Sequence, residues 1–226
     1  MVNPTLYREL PHTEPGSTEW LEARLAGIGS SEVSALLGLV DWDSPWSIWL
    51  RKTRRAPADS GVDTEAMFWG RKLEPAIREV VCERLNLTAT LPGTVQSLER
   101  PHMLYSPDGF LSDSGLLETK NTAWFMAGKW DGQIPDHAEV QVHHGMYVTG
   151  ATHAYVAGLI GGNRLETVRV ERNERLIELL VSACDRFWHD HVVPDVEPPI
   201  GGTTADRDNV DRLHPFIGGD LHVTRQ

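Results

Sequence analysis

Helical and strand periodicities succeed one another along the chain in an order that sets the expected architecture. Pro15-Gly-Ser-Thr18 carries a cap signal for a short helix through Glu19-Trp-Leu-Glu-Ala-Arg24. Ser30 or Ser31 is expected to cap a second helix running through Leu37 and ended by Gly38, and Ser44-Pro45 opens a third through Leu50. A long helix is predicted over 64–85, with Met67, Ile77, Val80, Val81 and Leu85 among its apolar positions. The pattern then changes to strands at 90–98, 103–105 and 116–120. Helices are predicted at about 123–129 and 136–148, the second closed by Gly150. Residues 153–160 and 164–171 flank Gly161-Gly162, a strong hairpin signal. Residues 174–191 form an amphipathic helix with Leu176, Ile177, Leu180, Val181 and Trp188, and Pro194, Pro198, Pro199 and Gly201-Gly202 follow it. The expected organisation is one domain over 1–193, then a Pro/Gly-rich linker and polar tail over 194–226. No internal repeat is evident. Helices, a three-stranded core, more helices and a hairpin suit an α/β fold whose central sheet is flanked by helices.

Within that order, the segment Ser106-Pro-Asp-Gly-Phe-Leu-Ser-Asp-Ser-Gly-Leu-Leu-Glu-Thr-Lys120 reads as a hairpin. His102-Met-Leu-Tyr-Ser-Pro and Leu116-Leu-Glu-Thr-Lys are its two runs, with Gly109 and Ser112-Asp-Ser-Gly115 between them. Strand alternation puts Glu118 and Lys120 on one face and Leu117 and Thr119 on the other. If the runs pair, Asp108 folds back over the Glu118 face. Mg²⁺ takes oxygen ligands, typically one or two carboxylates plus water and phosphate. Asp108 and Glu118 supply the carboxylates, and Lys120 would orient the attacking water or neutralise charge developing on a phosphodiester. Pro-Asp-Gly is also a common turn and Glu-x-Lys a common surface pair, so the weight of this reading comes from the rest of the chain.

Arg24-Leu-Ala-Gly-Ile-Gly-Ser-Ser-Glu-Val-Ser-Ala-Leu-Leu-Gly38, Ser44-Pro-Trp-Ser-Ile-Trp49, Met67-Phe-Trp-Gly-Arg-Lys-Leu-Glu-Pro75, the Ser106 segment and Gln141-Val-His-His-Gly-Met-Tyr-Val-Thr-Gly150 stand in that order. Together they resemble the YqaJ-type viral recombinase family, relatives of phage lambda exonuclease within the PD-(D/E)XK nuclease superfamily. The resemblance covers about 18–162 and implies a restriction-endonuclease-like core built on a mixed sheet. It also implies that Glu74 points into the active site as a third acidic group, that the carbonyl of Thr119 is a further ligand, and that Gln141 lies near substrate or the lysine. The implied cofactor is Mg²⁺, with Mn²⁺ able to substitute. Three acidic groups would support two ions about 3.5–4 Å apart.

Gly27-Ile-Gly-Ser-Ser31 entering a helix, one helix after Arg24, resembles the pocket with which relatives grip a 5′-phosphate; taken alone, Ser30 and Ser31 read as helix caps. Family members assemble as ring-shaped trimers on duplex DNA ends and work beside a single-strand annealing protein, so both a homo-oligomer and such a partner are implied.

Composition and charge adjust the picture. The 226 residues, 40% hydrophobic, suffice for one sizeable core, and no apolar run is long enough to span a membrane. The N-terminus lacks the pattern of a secretory signal, so a cytoplasmic protein is expected, in a bacterial host if phage-encoded. Cys82 and Cys184 read as reduced core residues, too few for the four-cysteine iron–sulfur branch of the superfamily. A net charge of −11 is the reverse of the basic footprint expected of a DNA-binding domain. Metal-holding carboxylates account for part of it, and a ring would concentrate positive charge in a shared channel. Arg51-Lys-Thr-Arg-Arg55 is the densest basic stretch, readable equally as a solvated helix end or as a DNA contact. His143 and His144 read as structural. Trp42, Trp46, Trp49, Trp69, Trp124, Trp130 and Trp188 read mostly as core, with base stacking a second reading for Trp124 and Trp130.

The leading expectation is a Mg²⁺-dependent exonuclease that degrades duplex DNA from 5′-phosphorylated ends and leaves 3′ single strands for recombination. An endonuclease or branched-DNA nuclease on the same core, and a non-catalytic DNA-end-binding adaptor, are the alternatives.

Overall fold

The structure is a computed structural model that describes residues 2–11, 13, 17–57 and 64–214. Pro15, Gly16 and the tail beyond 214 lie outside the described residues. The elements begin with β1 (Tyr7–Glu9), α1 (Thr18–Leu25), β2 (Ile28–Gly29), α2 (Ser30–Leu36), α3 (Pro45–Lys52) and α4 (Glu65–Leu85). Strands β3 (Ala89–Thr90), β4 (Val95–Ser97), β5 (Met103–Tyr105), β6 (Gly109–Leu111) and β7 (Leu116–Thr122) follow. A 3-10 turn (Trp124–Lys129) leads to α5 (Asp136–Thr149), β8 (His153–Ile160), β9 (Arg164–Glu171), α6 (Glu174–Phe187), a π turn (Trp188–Val192) and α7 (Thr204–Leu213).

Two mixed sheets flanked by helices result, an α/β architecture as expected. One has four strands in the order β1-β4-β5-β2 and the other five in the order β3-β6-β7-β8-β9. In the five-stranded sheet only β7 and β8 are parallel, and the 3-10 turn and α5 form the crossover that such pairing requires. The β8–β9 hairpin runs from His153↔Glu171 to Ile160↔Arg164, as its sequence signal predicts.

Strand β7 lies between two apolar clusters. Leu116 packs into the main core with Val142 and Met146 of α5, whereas Leu117 packs with Ile77 and Val81 of α4. Both leucines are fully buried, each contributing about 1.5–3 kcal/mol. A one-residue slip would exchange their faces and carry Glu118 with them, so these two side chains pin the register of the site.

Several local expectations need correction. The 103–105 run does not pair with 116–120: it pairs with β4 and β2 in the four-stranded sheet, and the antiparallel partner of β7 is the short β6. Ser106-Pro107-Asp108 is therefore where the chain crosses between sheets. The cap of α2 is Gly29 rather than Ser30 or Ser31, with Glu32 accepting from its amide at 2.8 Å. The stretch expected as linker and polar tail contains α7, docked beside α3 through buried Asp206. That carboxylate accepts from the amides of Gly201, Gly202 and Thr203 and from the Ser44 hydroxyl. Among the tryptophans, Trp46, Trp49 and Trp130 are buried, whereas Trp42, Trp69 and Trp124 are exposed. Trp130 is sealed against Gly158, where a Cβ would come within 2.6 Å of its ring, so it cannot reach a base.

Candidate active site

Asp108 enters the site as an extension of β6. Gly109 is opposite Leu117 in the antiparallel register, so Asp108 comes opposite Glu118. Its Oδ2 accepts from the Thr119 amide at 2.6 Å and from the Thr119 hydroxyl at 2.8 Å. A residue's N–H and C=O leave the same edge of an extended strand, so the Thr119 carbonyl faces the Asp108 edge as well.

Glu118 and Lys120 share the α5 side of β7. Lys120 Nζ donates to Glu118 Oε1 at 2.6 Å and to Gln141 Oε1 of α5 at 2.8 Å. The other oxygen of Glu118 is buried without a hydrogen-bond partner. Burial pushes the Glu118 carboxyl up to about 8 against the pull of Lys120, and Asp108 adds to the rise. Burial acts on Lys120 in the opposite sense, but the Glu118 carboxylate outweighs it and the ammonium is held above its ordinary value.

Glu74 reaches the site from α4. Its Oε1 accepts from Arg78 Nη1 at 2.8 Å, and the same Nη1 donates to the Asp108 carbonyl at 2.9 Å. Burial and the Asp108 charge raise the Glu74 carboxyl. Pro75 lies inside α4 without ending it, so Glu74 and Arg78 stay one turn apart on one face.

Asp108, Glu118, Glu74, Lys120, Gln141 and Thr119 thus converge. Two further residues belong to the surroundings and were not singled out from sequence. Arg78 was visible as the fourth residue after Glu74, an i,i+4 pairing. Tyr105 left no comparable signal: its hydroxyl is buried and unpartnered, and burial with the Glu118 and Asp108 carboxylates holds it well above the usual phenol value. Gly145 of α5 leaves room for that ring, since a Cβ there would stand 2.5 Å from it.

The second predicted cluster lies at the start of α2. Arg24 Nη2 donates to Ser31 Oγ at 3.3 Å, and the guanidinium sits over the Trp20 ring at 4.7 Å. Ser31 is exposed and Ser30 buried. Behind them Glu32 binds Lys52 at 2.8 Å and Arg51 at 3.5 Å. Burial alone would raise Glu32, but Lys52, Arg51 and Arg24 hold its carboxyl down at about 2. Strands β2 and β5 are parallel with Gly29 beside Leu104, so α2 and Asp108 both follow the C-terminal ends of neighbouring strands. From Leu104 to Asp108 the chain spans at most about 14 Å.

The basic stretch 51–55 is internally neutralised. Arg51 pairs with Asp43, Arg54 with Glu22 and Arg55 with Asp195, in addition to the Lys52–Glu32 bond. His143 and His144 are buried and donate to the Glu139 and Leu104 carbonyls, the structural role expected of them. Cys184 is buried, Cys82 half-buried, and both thiols are free. No helix among the described residues is long and apolar enough to cross a membrane.

The model of the YqaJ-like viral recombinase domain matches residues 19–152, the span that holds both clusters. The chain belongs to this family. As a member of the YqaJ-like family it is 32% identical over 199 residues to the protein YqaJ of Bacillus subtilis (strain 168), covering 86% of the chain and 62% of that relative. The chain thus spans less than two thirds of the relative's length. Its fold is that of an alkaline exonuclease (LHK-Exo) from Laribacter hongkongensis, with a TM-score of 0.68 and 21% identity over 80% of this chain and 95% of that one. A phage related exonuclease from Haemophilus somnus 129PT is more distant, at TM-score 0.53 and 12% identity over 73% and 94%.

Proposed function

We propose that this family member is a Mg²⁺-dependent exonuclease that degrades duplex DNA from 5′-phosphorylated ends, leaving 3′ single strands for recombination. The observation that carries the reading is the convergence on Lys120 Nζ of Glu118 and Gln141, with Asp108 opposite Glu118 and Glu74 beside them. The fold neighbour from Laribacter hongkongensis is an alkaline exonuclease, also seen in complex with dAMP, which supports a nucleic-acid end as substrate.

The donor set fits a hard divalent cation. Asp108, Glu118, Glu74 and the Thr119 carbonyl offer oxygen only, which suits Mg²⁺, with Mn²⁺ as substitute. Glu118 Oε2 is the most specific indication, since a buried unpaired acceptor is costly unless a ligand meets it. Bound there, the metal would polarise the phosphodiester and make a water nucleophilic. Thr119 and Arg78 hold Asp108 in place by its carboxylate and its carbonyl. Gln141 and Glu118 hold the Lys120 ammonium, which supplies positive charge where negative charge develops on the phosphate. Arg24 and Ser31, with Ser30 at the start of α2, would grip the terminal 5′-phosphate and give the enzyme its direction. The reading extends to a cytoplasmic homo-oligomer, a trimer in the family pattern, acting beside a single-strand annealing protein.

The test incubates purified protein with 5′-phosphorylated linear duplex or closed circular duplex, in Mg²⁺ or EDTA. Nucleotide release from the linear substrate in Mg²⁺ alone is expected. Cutting of the circle would replace the exonuclease by an endonuclease, and no Mg²⁺-dependent release from either would leave the adaptor reading.

A further inference from the structure

Just before β5, three potential ligands meet that the nuclease chemistry does not employ. His102 lies in the turn before β5, Asp185 in the last turn of α6, and His189 in the π turn that follows. Asp185 and His189 are four residues apart, and π turns within helices frequently mark functional positions. One ligand atom from each residue lies within 4.8 Å of the other two.

We propose that His102, Asp185 and His189 bind a single transition-metal ion of the Zn²⁺ class, joining α6 and the π turn after it to the four-stranded sheet. Two imidazoles are borderline donors, and with one carboxylate they suit Zn²⁺ or Co²⁺ rather than Mg²⁺. The carboxylate is divided between two tasks. Oδ1 lies 2.9 Å from His102 Nε2 and accepts from Arg100 Nε at 3.2 Å, while Oδ2 accepts from the same Nε at 2.9 Å. Arg100 orients the carboxylate as an outer partner through its shorter bond to Oδ2, and an ion on Oδ1 would replace the longer one. Its own charge is answered by Glu99 as well as Asp185, which lessens its opposition to a cation. Trp188 stacks on the His102 ring at 14° and 5.6 Å, fixing its plane. An open cleft of about 440 Å³ adjoins the three side chains, so water can complete the coordination.

The test strips the full-length chain with chelator and titrates it with Co²⁺ and Zn²⁺ in excess Mg²⁺, which keeps the oxygen site out of the measurement. One Co²⁺ per chain with intense tetrahedral visible bands is expected, displaced by Zn²⁺. His189→Ala and His102→Gln should each weaken binding at least about tenfold. Asp108→Asn should leave it unchanged. His189 is exposed, so its replacement does not endanger the fold and decides the matter if His102→Gln fails to fold. Absence of stoichiometric Co²⁺ from wild type, or undiminished binding by His189→Ala, overturns the proposal. Neither outcome depends on nuclease activity.

Discussion

The Asp108 carboxylate is bound twice by one residue, accepting from the amide of Thr119 at 2.6 Å and from its hydroxyl at 2.8 Å. A strand residue on the face away from Lys120 thereby positions a carboxylate that belongs to another segment. Thr119→Val keeps the shape and the amide bond and removes the hydroxyl. It should cost about 1.5–3 kcal/mol in urea unfolding and raise the Mg²⁺ concentration needed for half-maximal activity. An unchanged Mg²⁺ requirement would show that Asp108 needs no such support.

Glu118 sets a pH dependence in the metal-free protein. Its carboxyl is raised to about 8 in the fold and returns to about 4.5 when unfolded, so the native state keeps a proton that the unfolded state has lost. That contribution is fully present below about 4.5 and is lost as pH rises toward 8; His137 and His144, held at about 4 by burial, act in the opposite sense up to about 6.5, so metal-free stability should decline from about 6.5 to 8. Glu118→Gln should flatten the decline in thermal unfolding, and Mg²⁺ should oppose it in wild type by favouring the ionised carboxylate. Metal-free stability that rises between about pH 6.5 and 8 in wild type, or a pH dependence unchanged in Glu118→Gln, would contradict the assignment.

Tyr105 carries a buried hydroxyl with no partner, so removing that oxygen deletes an unsatisfied group rather than a bond. Tyr105→Phe should leave stability unchanged or slightly higher. If the hydroxyl serves the ligated site beside Glu118 and Asp108, activity should nevertheless fall, on the order of tenfold. Loss of stability with full activity would place Tyr105 in the core alone.

Arg24 separates binding of the end from cutting. Arg24→Ala should reduce the preference for 5′-phosphate over 5′-hydroxyl ends by at least about tenfold, the scale of one lost charge-assisted contact. Equal preference in mutant and wild type would remove Arg24 and Ser31 from the end-binding role.

Much of this arrangement was legible in sequence because it rests on local signals. Strand alternation placed Glu118 with Lys120, and Leu116 and Leu117 confirm it by packing on opposite sides of β7. The partner of β7 was misread because β6 has only three residues, wedged between Pro107-Asp108 and the Ser112-Asp113-Ser114-Gly115 turn. So short a strand shows no periodicity, and only a tertiary choice between two sheets decides the pairing. Helix α7 was missed for a different reason: its surface is mostly polar, and what docks it is buried Asp206, the bonds of Thr204 to Asp41 and of Asn209 to Ser47, and the single apolar contact of Val210 with the core. Thr203 and Asp206 do form a capping box, a signal present in the sequence and passed over beside the prolines. The tryptophans show the limit of size as a guide, since Trp42 and Trp124 remain exposed and burial follows the available faces instead.

The most direct measurement compares wild type with Lys120→Ala in single-turnover degradation of a 5′-phosphorylated linear duplex in Mg²⁺, with circular dichroism to show that both are folded. Loss of the preorganised ammonium between Glu118 and Gln141 should lower the rate on the order of 10²–10³-fold. A folded Lys120→Ala variant that degrades the duplex within about twofold of wild type would contradict the account.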